Sequence, residues 1–353
     1  YDDEERPPEV IGVVFAAPLW RRKLTTLADL FRTRFSPGVE RLAALLMIPT
    51  SVLWAAAQIR AFGQVLSSAS SLDVHLAIAI AALVVIVYTG LGGLLADAIT
   101  DLVQGIALVV GLVMLAIAVM LALGGPEAAV AAIEPERLRL GGAPGTPWLA
   151  TLEAWAAPLF GSVVAQELVV RVSAARSPAV ARRASIGAGC GYLAIGLIPV
   201  FLGLAGAALV PELDDAEQIV PHLAQALLPG WLQLVFLGAL VSAILSTVDS
   251  TLLVSSSLLS HNLVQPAFPG LEERTKLRIA RAGVAGFGIV ATAIALAGDS
   301  VSSLVHEASA LGSAGILVAV VFGLFSRFGG AASARAALLA GVTSYVGAVA
   351  AGF

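Results

Sequence analysis

The chain has 353 residues, of which 58% are hydrophobic and only 12% charged, with a mean hydropathy of +0.93. Soluble domains carry about twice that charged fraction, so a soluble globular fold is excluded. The formal net charge of −4 points to no partner by itself, and the lone Cys190 rules out an intrachain disulfide and reads as a small packed residue among apolar neighbours.

Taken in chain order, apolar segments fall at about 10–20, 42–68, 74–91, 98–123, 149–170, 184–210, 231–263, 279–298, 300–325 and 336–353. Most have the roughly 20-residue length that crosses a bilayer core, and their Ala, Leu, Val and Gly runs lack the alternation of a membrane β-barrel. The chain reads as an all-α polytopic membrane protein, a single transmembrane domain over 1–353. The first segment is too short to span and the last stops without a closing loop, so an excerpt cut at both ends is expected. The acidic start, Tyr1 to Glu9, is the opposite of a basic signal-peptide n-region.

Loop charges test this segmentation. Sixteen of the 20 Lys and Arg lie in 21–41, 171–183, 274–281 and 327–335, all on one side if the segments alternate. The opposite loops carry Glu127, Glu134 and Glu136, then Glu212, Asp214, Asp215 and Glu217. By the positive-inside rule the basic side is cytoplasmic, and a wrong segment count would have scattered the charges. Gly92-Gly93 and Pro178 mark tight cytoplasmic turns. The longest external loop is 124–147, and Pro211 to Pro229 is a second with room for a short amphipathic helix. Arg outnumbers Lys 18 to 2, which suits a GC-rich bacterial genome and hence a bacterial inner membrane.

A charged side chain at a helix centre costs about 2.5–3.5 kcal/mol on insertion scales, so such residues pair or line a pathway. Arg60, near an external helix end, reads as snorkelling to the interface rather than binding an anion. Asp97 and Asp101 share one helix face at i,i+4; Asp97 suits a helix start, while for Asp101 capping and function stand level. Glu167 and Arg171, beside Gln166, have the spacing of an ordinary helix ion pair. His306-Glu307 sits inside an apolar segment, where a core histidine, a proton carrier and a ligand contact all remain open.

The densest polar stretch is SAILSTVDSTLLVSSSLLS, Ser242 to Ser260. Hydroxyls in membrane helices commonly bond back to the i−4 carbonyl, which accounts for most of them. Ala243, Ser246, Thr247 and Ser250 instead follow an i, i+3, i+4, i+7 stripe. A hard cation takes several oxygen ligands, and neutral hydroxyls and carbonyls suit one held weakly. Spacing alone leaves packing and a cation site both standing.

Three stretches resemble the sodium:solute symporter family. YTGLGGLLADAITDLVQG (Tyr88 to Gly105) is similar to its Tyr-Thr…Gly-Gly…Thr-Asp…Gln signature, and QELVVRVSAARSPAVARR (Gln166 to Arg183) to its cytoplasmic Gln-Glu…Arg segment. ALVSAILSTVDSTLLVSSSLLSHNLV (Ala239 to Val264) resembles its sodium-binding helix. The three occur in the family's order, with flanking helices similar from about 15 to 340. The resemblance implies a leucine-transporter-type core of five plus five inverted-repeat helices, whose first, broken helix would precede Tyr1. It implies Na⁺ held by the Ala243 carbonyl and the Ser246 and Thr247 hydroxyls, completed by that missing helix. It further ties Asp101 to cation coupling, with Asp249 where some members place a hydroxyl of a second cation site. An Asp101–Asp249 pair would bind a second cation or share a proton.

His306 falls where sugar-transporting members place a substrate-contacting Gln, and Gly161-Ser162 where they have aromatic gate residues, so a sugar is not carried over. The implied function is Na⁺-coupled symport of a small organic solute across the bilayer by alternating access. Na⁺ is the coupling ion, with no organic cofactor, no catalytic residue and no nucleic-acid partner expected. The competing readings are a symporter-like sensory input module and a proton-coupled carrier using Asp101, Asp249 and His306.

Overall fold

The computed structural model describes residues 11–351 apart from 71, 92–93, 140, 142–144, 212 and 214; at 11–14, 91, 94–101, 162–163 and 167 it describes the backbone alone. In chain order the helices are α1 (Ile11–Arg22), α2 (Ala28–Arg34), α3 (Pro37–Ser68), α4 (Val74–Leu91) and α5 (Leu94–Ala122). Then come α6 (Pro126–Ala131), α7 (Trp148–Val163), α8 (Gln166–Ser173), α9 (Pro178–Ala205), α10 (Ile219–Leu227) and α11 (Gly230–Ser257). A π-turn (Leu258–Val264), α12 (Gln265–Ala267), α13 (Glu273–Ala297), α14 (Val301–Ser313), α15 (Ile316–Phe325) and α16 (Ala331–Ala350) complete the chain. Among the described residues, six helices or continuous helical runs are long and apolar enough to cross a membrane, and α14–α15 as one bent span makes seven. The molecule is a multi-pass integral membrane protein.

Local chemistry sets the helix starts. Ser36-Pro37 and Ser177-Pro178 both place a serine at the N-cap and proline in the first turn. Each serine hydroxyl accepts a backbone N–H three residues on, from Val39 at 3.3 Å and Val180 at 3.2 Å. Ser300 caps α14 in the same way, through Ser303 at 3.0 Å.

Two apolar segments are broken where the sequence reads one. Across 149–170 the chain forms α7 and α8, separated at Val164-Ala165. Across 300–325 it forms α14 and α15, bent by 45° at Ala314-Gly315. Gly315 takes φ +75°, the left-handed region that a side chain resists. Gly341 of α16 packs directly on this break, where a Cβ would collide with the backbone of Ala314 and Gly315. Small residues of this kind let membrane helices approach closely.

The packing centres on α3, whose Ala55, Ala56 and Ala57 are completely buried. Among the described residues three apolar clusters lie around it. One, at the end that carries the basic loops and is named cytoplasmic on the positive-inside rule, joins Leu27, Phe31, Val39, Val169, Leu258 and Val320. The second joins α3 to Ile78 and Val85 of α4, Val248 and Leu252 of α11, and Ala291 of α13. The outer cluster holds Leu115 and Val119 of α5 with Leu202, Leu223, Phe236 and Leu237. The external 211–229 loop does form a short amphipathic helix, α10, which buries Leu223 and Ala224. Cys190, read as packed, is exposed on α9, on a stretch whose apolar neighbours Tyr192 and Leu193 are exposed too.

Candidate functional site

The polar stretch lies on α11 and its π-turn, and the structure divides its hydroxyls. Thr251 donates to the Thr247 carbonyl at 2.6 Å and Ser255 to Thr251 at 2.9 Å, the expected back-bonds. Ser256 donates instead to Ala280 of α13 at 2.5 Å, a tie between helices. Gly283, where a Cβ would stand 2.9 Å from the Ser256 hydroxyl, makes room for it.

Ala243, Ser246 and Thr247 sit half-buried on α11. Thr247 donates its hydroxyl hydrogen to the Ala243 carbonyl at 3.1 Å. That bond spends a hydrogen and one acceptor site, and leaves lone pairs on both oxygens for a further partner. Neutral, hard oxygens in this set fit a weakly held monovalent cation. One to two turns on, Asp249 is 2% exposed and Ser250 9%, so a carboxylate is deeply buried on the same helix. The Asp101 side chain, like those of Asp97 and Glu167, lies outside the described residues.

The α7–α8 break adds a feature not read from the sequence. It leaves the carbonyls ending one helix and the N–H groups starting the next without helical partners, which is how discontinuous membrane helices expose polar backbone at a binding site. Gly161, the last described side-chain position before the break, packs against α14, where a Cβ would stand 2.7 Å from the Ser309 Cα. His306 lies one turn outward of Ser309 on α14 and is half-buried. Gly312 of α14 makes room for the Thr50 methyl of α3, which lies 2.8 Å from where a Cβ would stand. α14 therefore packs tightly on both α7 and α3 at these two glycines.

Gln166, at the start of α8, is 5% exposed. It accepts from the Leu27 N–H at 3.2 Å and donates to the Met47 sulfur at 3.2 Å, which pins the inner half of the broken helix.

At the external end, Arg60 does not snorkel. Its guanidinium donates to the Ala295 carbonyl at 3.1 Å and the Asp299 carbonyl at 2.8 Å, so it caps the C-terminus of α13. Glu217 lies 3.8 Å from Arg60 and accepts from the Val301 and Ser302 N–H groups, at the start of α14. Gln64 of α3 donates to Asp215 at 2.9 Å and accepts from Gln218 at 2.8 Å. The external segment 215–227 is thereby stitched to α3 and to the α13–α14 turn.

At the cytoplasmic end, Asn262 of the π-turn is completely buried. Its amide donates to Asp29 at 3.0 Å and Glu40 at 2.8 Å, and its oxygen accepts from the Thr26 hydroxyl at 2.9 Å. Asp29 also accepts from the Thr25 and Thr26 N–H groups, and His261 stands 3.3 Å from it. Burial opposes the charge on Asp29, but the His261 bond and the two backbone N–H groups outweigh it and hold the carboxyl below its ordinary 3.8. This network was not read from the sequence, because Asp29 and Glu40 lie more than 220 residues from Asn262 and no local pattern joins them.

The chain is 29% identical over 324 residues to the human high affinity choline transporter 1, covering 85% of the chain and 54% of that protein. It is 31% identical over 317 residues to the sodium/proline symporter of Staphylococcus aureus, covering 85% of the chain and 61% of that protein. It thus spans little more than half the length of these curated relatives. Its fold is that of a Na⁺-coupled sialic acid symporter solved in a substrate-bound, outward-open state. The TM-score is 0.75 at 16% identity, covering 96% of this chain and 78% of that one. The sodium:solute symporter profile matches residues 8–341, and on that match the chain belongs to the sodium:solute symporter family.

Proposed function

We propose that the chain is the transport region of a Na⁺-coupled symporter for a small organic solute, acting by alternating access in a bacterial inner membrane. The family is one of transporters, not enzymes. The observation that carries the reading is the oxygen-rich face of α11, with the Ala243 carbonyl and the Ser246 and Thr247 hydroxyls as the Na⁺ ligands. The relatives support the coupling ion, since a sodium/proline symporter and a Na⁺-coupled sialic acid symporter are both named for it. Na⁺ entering the cell gains about 2.3 kcal/mol per 100 mV of membrane potential, which drives the solute against its gradient.

In this reading His306 contacts the solute, and Asp249 with Asp101 forms a second cation or proton site. The burial of Asp249, 2% exposed, supports that second site, because ionisable side chains inside membrane helices commonly mark ion or proton pathways.

The test is uptake by the full-length protein in vesicles, with proline and choline as first probes and Na⁺ replaced by K⁺ at fixed pH. Choline cannot serve as the replacement cation, because a relative transports it. Uptake is expected to fall at least tenfold without Na⁺, and Ser246→Ala to raise the Na⁺ concentration needed. Uptake that follows a pH gradient and ignores Na⁺ would establish the proton-coupled carrier instead.

A further inference from the structure

Gln104 of α5 carries the inference. Its side-chain oxygen Oε1 is buried and has no hydrogen-bond partner among the described residues. An amide oxygen seldom stays unpaired in a native interior, and a bound ion is one of the few things that explains it.

The packing of α5 on α11 locates it. The outer cluster joins the end of α5, Leu115 and Val119, to the start of α11, Phe236 and Leu237, so the two helices run in opposite directions. Gly111 fixes their register, since a Cβ there would stand 2.5 Å from the Phe236 ring. Both helices rise about 1.5 Å per residue. Moving inward by the same number of residues on each, Gln104 comes level with Ala243, and Asp101 with Ser246. Leu108, Leu240 and Ile244 pack in the same cluster across the intervening turns.

We propose that Gln104 supplies its amide oxygen, from α5, as a further ligand to the Na⁺ bound by Ala243, Ser246 and Thr247 of α11. The inference rests on the Na⁺ reading above and adds a ligand from a second helix. The chemistry suits the ion. A neutral amide oxygen completes a set of hydroxyl and carbonyl oxygens without adding charge that would hold Na⁺ too tightly for release. It also ties Na⁺ binding to the distance between α5 and α11.

The probe is ²²Na⁺ alone, bound to the purified full-length protein in K⁺ buffer. Gln104→Leu is expected to weaken Na⁺ binding about tenfold, as for a lost charge-assisted contact, or to remove one bound Na⁺ per protein. Its thermal midpoint in K⁺ alone should match wild type, while the extra stabilisation given by Na⁺ should shrink. Gln104→Glu, which keeps the oxygen and adds a charge, should bind Na⁺ more tightly; it also carries the test if the leucine variant does not fold. Wild-type Na⁺ binding in Gln104→Leu, with binding lost in Ser246→Ala, would overturn the inference and leave the proposed function standing. Absence of Na⁺ binding in the wild type would overturn both.

Discussion

Asn262 serves two carboxylates with one amide group, and both accept from the same nitrogen. Replacing it with leucine leaves Asp29 and Glu40 facing an apolar side chain, and buried charged acceptors without a donor are costly. Asn262→Leu is expected to lose at least about 2 kcal/mol of stability, read as a lower thermal midpoint in detergent. The measurement belongs at pH 7. Asp29 titrates below its ordinary 3.8 in the folded state, so its contribution is fully present above that value and is lost only as the pH falls through the folded value. Residue-level chemistry was only partly legible. The Ser-Pro caps and the back-bonded hydroxyls follow from local sequence. The partners of Asn262, Arg60 and Gln104 lie on distant helices, and no local pattern announces them.

At the scale of elements, the membrane segments could be read because burying apolar residues in lipid leaves a long and simple signal. The two breaks could not, since a helix interrupted for a residue or two keeps the same hydropathy as a continuous one. Gly315 was visible as a residue, but what demands it is the backbone of α16 lying against the bend. Gly161 makes a similar demand between α7 and α14. Gly161→Val forces its side chain into the Ser309 backbone, and overpacking of that kind costs about 1–3 kcal/mol. The expected result is a lower thermal midpoint together with a loss of uptake larger than the loss of folded protein, both measured on the same preparation.

On the scale of the whole molecule, polar networks close both ends: Arg60 and Glu217 outside, Asn262 with its carboxylates inside. In the proposed alternating-access cycle, the outer one would have to open when the solute enters. Arg60→Ala should therefore favour the outward-open form. A cysteine at Ser309, placed in a Cys190→Ser background, should react severalfold faster with an impermeant maleimide added outside; an unchanged rate would show that the arginine only caps α13. The π-turn at Leu258–Val264 sets how these ends relate. Such a turn is an α-helix carrying one residue too many. Deleting Leu259 would let the ladder close as ordinary α-helix, and because the wide turn already absorbs one residue, the helix beyond would keep its facing. What would change is the wide turn itself, which carries Asn262 to Asp29 and Glu40, while Ala243, Ser246 and Thr247 stayed where they are. That one surplus residue is an insertion mark: the helix takes up the added length by bulging at the inner lock, not by turning the ion face.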